Sequence, residues 1–273
     1  MSKEKVIVGM SGGIDSSVTA YMLQKEGYEV EGIYLKLHNR TDGYHERNLG
    51  YIEDVAKFLN IKYHILDLAN EFSKEVYDYF VDSYLTGTTP NPCVKCNKQI
   101  KFGAMLDFAK EHGANFLATG HYAKTDGKFF YEADDKTKDQ SYFLSQVNPE
   151  ALKYMMFPLS TYKKEDIVKF GADLDVAYKK ITEKSESQEI CFVETVYTDV
   201  VKRHANIDQE GDVLDENGNI VGKHKGFAHY TIGKRRGFTV HGAHEPHFVT
   251  KLNPKDNTIV VGKKESLEIN NVV

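Results

Sequence analysis

Apolar positions along the chain switch between two periods. Val6, Ile7 and Val8 form a short unbroken apolar run, the pattern of a strand buried on both faces. From Asp15 the spacing turns helical, with Val18, Tyr21 and Met22 on one face and Gly27 as a C-terminal cap. Residues 29–35 predict a second strand through Val30, Ile33 and Leu35. Residues 47–59 predict a helix through Leu49, Ile52, Val55, Ala56 and Leu59. A third strand is expected at 63–68, and Phe72, Val76, Phe80 and Tyr84 share one face of a further helix. This alternation predicts an α/β fold built on a doubly wound parallel sheet. Ligands of such sheets bind beyond the carboxyl ends of the strands.

Residues 87–99 interrupt the pattern. Pro90 and Pro92 predict a shaped loop there rather than a helix or central strand. A helix through Ile100, Ala104 and Phe108 follows, with Asn97 near its start, then a strand at 115–119. Gly120, His121 and Tyr122 come just past that strand, on the expected ligand side. Asp126-Gly127 reads as a hairpin turn. Residues 159–174 contain another amphipathic helix, with Ile167 and Phe170 predicted to face inward. After about residue 206 helical periodicity stops, and short β stretches are expected at 213–214, 220–221, 247–249 and 258–261. Asp215-Glu216-Asn217-Gly218 forms a turn between the first two. The expected organisation is a catalytic α/β domain over 1–205 and a smaller β-rich domain over 206–273.

Composition narrows the field. An apolar fraction of 41% and a charged fraction of 27% over 273 residues fit an ordinary two-domain globular chain. No apolar run approaches the ~20 residues that span a bilayer. The N-terminal Met-Ser-Lys-Glu-Lys is not followed by a signal-like apolar segment, so a cytoplasmic location without membrane attachment is expected. A net charge of −5 argues against a protein that coats nucleic acid non-specifically, while leaving room for a local basic groove.

The first strand, a Gly/Ser loop and a helix N-terminus together make an anion cradle. The loop is neither a Walker A motif nor a G-x-G-x-x-G. Ser11-Gly12-Gly13-Ile14-Asp15-Ser16 instead resembles the pyrophosphate loop of the PP-loop ATP pyrophosphatases, which split ATP between its α and β phosphates and adenylate a substrate oxygen. That resemblance implies ATP with Mg2+, held by Gly9, Met10, Ser11, Gly12, Gly13, Ile14, Asp15 and Ser16.

Only three cysteines occur: Cys93, Cys96 and Cys191. Cys93 and Cys96 form a Cys-x-x-Cys with Lys95, Lys98 and Lys101 nearby. Cationic neighbours and a helix N-terminus at Asn97 favour a thiolate at Cys96. The pair alone fits half a zinc site completed by Cys191 and His121, a redox pair, part of an iron–sulfur site, or buried structural cysteines.

The wider motifs are more specific. Residues 89–98 with Ile100-Lys101-Phe102, then 118–122, 138–144, 187–192 and 230–237, resemble in order the motif blocks of the MnmA-type tRNA 2-thiouridylases. These are PP-loop enzymes that replace the C2 oxygen of the tRNA wobble uridine with sulfur. The resemblance implies that Leu35 and Gly120 also contact the nucleotide. Cys191 would receive a persulfide sulfur from a sulfur-relay donor protein, and Cys96 would complete transfer through a transient Cys96–Cys191 disulfide. Asn91, Pro92, Cys93, His121, Lys138, Asp139 and Gln140 would contact the target base and anticodon loop of Lys-, Glu- or Gln-type tRNA, whose uridine must leave the stack. His121 equally suits a local hydrogen bond. Lys234, Arg235 and Arg236 suit phosphate contacts. Many family members carry Asp where Cys93 stands. Cys93, Cys96 and Cys191 are thus also candidate ligands of a 4Fe–4S cluster with one open iron. Lysidine, GMP and asparagine synthetases and argininosuccinate synthase share the loop but do not need the cysteines. The family normally continues into a C-terminal β-barrel that grips tRNA. A chain ending at Val273 is expected to bind tRNA more weakly, or to be a tRNA- and ATP-binding form without activity.

Overall fold

A computed structural model of the chain describes residues 3–39, 42–182, 190–242 and 245–268. It forms two compact units, Met1–Val76 with Pro92–Gln188, and Tyr77–Asn91 with Glu189–Val273.

The first unit holds a five-stranded parallel sheet in the order β3-β2-β1-β4-β7. Its strands are β1 (Lys5–Gly9), β2 (Glu29–Lys36), β3 (Tyr63–Asp67), β4 (Phe116–Thr119) and β7 (Met155–Met156). A separate two-stranded hairpin, β5 (Lys124–Thr125) with β6 (Phe130–Tyr131), turns at Asp126-Gly127. Val6, Ile7 and Val8 are completely buried because both faces of β1 are covered. Val6 and Val8 pack with α1 (Ile14–Lys25), α2 (Tyr44–Leu59) and the helical residues 164–182. Ile7, on the other face, packs with Phe102, Met105 and Leu117. The predicted doubly wound sheet is present. Strand β7 was not expected, since a two-residue edge strand is too short to show a period.

Other expectations need correction. Residues 92–96 are helical, not loop, and continue through a π-helical stretch, Asn97–Ala104, into Met105–Glu111. Pro92 does not break this helix because it stands at the first helical position, where its missing N–H leaves no bond unmade. Cys96 therefore lies inside the helix rather than just before it. Phe170 is 42% exposed; it touches Tyr21 edge-on at 5.7 Å, while Ile167 is the buried position.

The second unit holds a four-stranded sheet in the order β10-β11-β8-β9. Its strands are β8 (Gly211–Leu214), β9 (Ile220–His224), β10 (Phe248–Asn253) and β11 (Thr258–Gly262), around a core of Val213, Tyr230, Val249, Ile259 and Val261. The Asp215 carboxylate accepts from the backbone N–H groups of Asn217 and Asn219 and fixes the β8–β9 turn. The expected cut near 205 falls inside this unit. Aromatic contacts join 77–91 to 190–204: Tyr84 stacks on Tyr197 at 4.3 Å, and Phe80 meets Phe192 at 5.0 Å.

Candidate active site

The order of strands places the ends of β1 and β4 side by side at the switch point of the sheet. From β1 the chain turns through Met10–Gly13 into α1. Gly12 has φ +72°, and a Cβ there would come within 2.9 Å of the Asn48 carbonyl oxygen. Ser16 ties the loop together: its hydroxyl accepts from Ser11 N–H at 3.2 Å and donates to the Gly13 carbonyl at 3.1 Å. No side chain caps α1, so the amides at its start are left for an anion. Met10 and Ile14 are buried in the core, so their side chains serve packing and only their backbone is available to a nucleotide. Leu35 lies near the end of the neighbouring strand β2.

Three further groups converge on Asp15. Gly120 follows β4, and a Cβ there would lie 2.9 Å from the backbone of Asp15. Only glycine permits that approach. The Tyr122 hydroxyl donates to Asp15 Oδ1 at 3.0 Å. Lys164, opening the helix Lys164–Leu174, places Nζ at 2.7 and 2.6 Å from the two carboxylate oxygens. This half-buried two-point pair sets a cation at the mouth of an anion cradle. Neither Lys164 nor the Tyr122 contact was read from the motifs. Lys164 is one lysine of a polar Lys-Lys-Glu-Asp run, and only the tertiary fold distinguishes it.

Cys96 is buried and Cys93 half-buried, whereas Cys191 is exposed. The expected thiolate at Cys96 is not supported. Burial pushes its thiol up to about 11, and Lys101 offsets only part of that. Burial also raises Cys93, against a smaller effect of Lys101. The three cysteines carry no disulfide. Cys93 and Cys96 belong to the first unit and Cys191 to the second. Among the described residues no three His, Cys, Asp or Glu side chains group as metal ligands. Residues 187–189 of the Cys191 motif lie outside the described residues.

His121 sits between Phe102 and Phe157 and makes local bonds. Lys101 can only donate, so its 3.4 Å contact makes His121 Nε2 the acceptor; Nδ1–H then faces Thr119 Oγ1 at 2.7 Å. Burial, then the Lys101 charge, holds the imidazole well below its ordinary pKa. Asp139 and Gln140 are also used internally. Asp139 accepts from Ala133 N–H and the Ser141 hydroxyl, and Gln140 accepts from Tyr122 N–H. Lys138 is exposed. Asn97, beside Cys96, donates to the Phe143 carbonyl at 3.1 Å and holds the turn Ser141–Leu144 against the cysteine helix. Asn91 is exposed and Pro92 buried.

Residues 4–195 match the family model described as tRNA methyl transferase HUP domain, and 198–263 match the tRNA methyl transferase PRC-barrel domain. Over all 273 residues, and 79% of the relative, the chain is 92% identical to "tRNA-specific 2-thiouridylase MnmA 1" of Aliarcobacter butzleri (strain RM4018). The chain belongs to the MnmA family of tRNA-specific 2-thiouridylases. Another relative so named, from Sulfurimonas denitrificans, is 55% identical over the whole chain and 79% of its own length. The one from Campylobacter jejuni (strain RM1221) is 54% identical over 97% of the chain and 78% of its own length.

Within the MnmA family chain, the 11–16 loop, the Asp15 cluster and the Cys96 helix share the first unit. Asp15 fits a Mg2+–nucleotide, which needs only one or two protein carboxylates besides the phosphates. No helix among the described residues is long and apolar enough to cross a membrane.

Proposed function

We propose that this chain thiolates C2 of the wobble uridine in tRNA, using ATP. The observation that carries the reading is the cradle 11–16 with Asp15, Gly120, Tyr122 and Lys164 converging on it, on the same unit as a buried cysteine. The C2 oxygen attacks the α-phosphate of ATP, pyrophosphate leaves toward the amides of 11–16, and the uridine carries AMP as a good leaving group. Mg2+ bound at Asp15 and the phosphates would neutralise charge on the departing pyrophosphate. Lys164 supplies a fixed cation at the same place.

Sulfur transfer falls to the cysteines. Cys191 is exposed, which suits loading as a persulfide by a donor protein. The terminal sulfur attacks C2 and AMP leaves with the former C2 oxygen. Cys96 then attacks Cys191 Sγ. The S–S bond of the persulfide breaks, and its electron pair remains on the sulfur now at C2. The products are 2-thiouridine and a Cys96–Cys191 disulfide, which an external thiol must reduce before the next turnover. Cys96 must lose its proton for this step. Asn91, Pro92, Cys93 and Lys138 are the proposed contacts to the anticodon loop, with Asp139, Gln140 and His121 shaping the loops that present them. Substrates are proposed to be Lys, Glu and Gln tRNAs.

Nucleoside mass spectrometry of tRNA incubated with ATP, a persulfide donor and the chain, followed over a single turnover, tests the assignment. The unaltered chain should yield 2-thiouridine, and Cys96→Ser and Cys191→Ser should not. Undiminished product from either variant would overturn that cysteine's role.

A further inference from the structure

The second unit contains a cavity of about 460 Å3 that no step above uses. Tyr84 and Tyr197, stacked 4.3 Å apart, and Ile190 form much of its wall. Lys225, His229 and Lys234 bring its charge, and among the described residues no carboxylate lines it. His229 Nε2 is engaged by Asp208 at 2.7 Å. Lys234 Nζ donates to the His229 carbonyl at 2.8 Å and lies 5.3 Å from the Tyr230 ring centroid. Neither Lys225 nor Lys234 has an acidic partner among the described residues. Lys225 is exposed, so its ammonium is accessible.

Ammonium groups facing an acid-free cavity favour an anion. The aromatic and aliphatic wall suits a body that is apolar or planar, and the volume exceeds what a bare phosphate needs. Ile190 immediately precedes Cys191, so the occupant sits one residue along the chain from the proposed sulfur carrier. We propose that this cavity binds one phosphodiester-linked nucleotide of the tRNA substrate. Its phosphate lies on Lys225 and Lys234, and its sugar and base lie against the tyrosine-lined wall. The assignment rests on tRNA being the substrate, as proposed above.

The test is tRNA affinity of the full chain, measured by fluorescence anisotropy between about 50 and 200 mM salt. The unaltered chain is compared with Lys225→Gln, Lys225→Arg and the double variant Lys225→Gln/Lys234→Gln, with ATP binding as the folding control. Each lost lysine should weaken binding and make the log–log salt slope shallower by about 0.7–0.9. Lys225→Arg should keep the slope. Since Lys225 is exposed, its variants test the site even if Lys234→Gln perturbs the fold. Unchanged affinity and slope in Lys225→Gln, with tRNA bound by the unaltered chain, would overturn the assignment. So would unchanged tRNA binding with impaired sulfur loading from a donor protein, which would make the occupant an acidic peptide. Failure of the unaltered chain to bind tRNA would instead defeat the substrate reading itself.

Discussion

At the scale of single residues, Cys96 shows how environment overrides motif. The lysines around the Cys-x-x-Cys suggested a thiolate, but the sequence does not reveal that the sulfur is buried and that burial outweighs the charge of Lys101. With its thiol at about 11, Cys96 should be a slow nucleophile in the resting protein. Alkylation by iodoacetamide, followed peptide by peptide with mass spectrometry, should find exposed Cys191 modified first. The Cys96 rate should keep climbing about tenfold per pH unit from about pH 7.5 to 9.5, because the thiolate fraction rises that way below the pKa. Lys101→Met should slow it further at every pH, since Lys101 is the charge that favours the thiolate. A Cys96 rate that levels off near pH 8.5 would contradict this account. Gly12 was legible for the opposite reason: a tight turn with close approach leaves glycine as the residue that fits, so the letter itself carries the geometry, whereas Gly120 was singled out by resemblance and its approach to Asp15 is shown by the fold.

Among elements, the sheet was readable because parallel strands buried on both faces must be apolar throughout. Val6-Ile7-Val8 divides between two cores for that reason. The helix at 92–111 was half-missed because Pro92 can mean a break or a helix start, and only the turn before it decides. The helix Lys164–Leu174 was seen, but not its task. Its first residue reaches Asp15 in the first turn of α1, and its buried face packs on the same helix, where Ile14 lies against Gly171. Lys164 therefore couples the placement of a whole helix to the cradle. Lys164→Met should weaken ATP binding by about tenfold to a hundredfold, the range for a lost hydrogen bond to a charged group. Lys164→Arg should recover part of it, while the thermal melt moves little because the helix keeps its buried Ile167. Equal ATP affinity in Lys164→Met, by titration calorimetry, would remove Lys164 from the site.

On the scale of the whole molecule, the two units share a weakness toward acid. His121 in the first unit, and His224 and His229 in the second, are held below their ordinary pKa, chiefly by burial. His224 shows the physical cause. Its Nδ1 accepts from Gly226 N–H at 2.9 Å, so its proton sits on Nε2, which donates to the Asn257 carbonyl at 3.1 Å. A second proton would have to displace the Gly226 bond. His121 has the same problem, with the Lys101 ammonium on its Nε2. Once the pH falls through the unfolded histidine value of about 6.5, the unfolded chain takes protons that the folded chain refuses. Stability is thus full above that value and declines below it, well before carboxylates such as Asp215 begin to titrate. The urea midpoint should be flat from about pH 8 to 7 and fall steadily from about pH 6.5 to 5. A His224→Gln variant should show a shallower fall in the second unit's transition, because glutamine offers an acceptor and a donor without a titrating proton. A midpoint constant down to pH 5, or an unchanged slope in His224→Gln, would mean that the buried imidazoles do not set the acid limit of the fold.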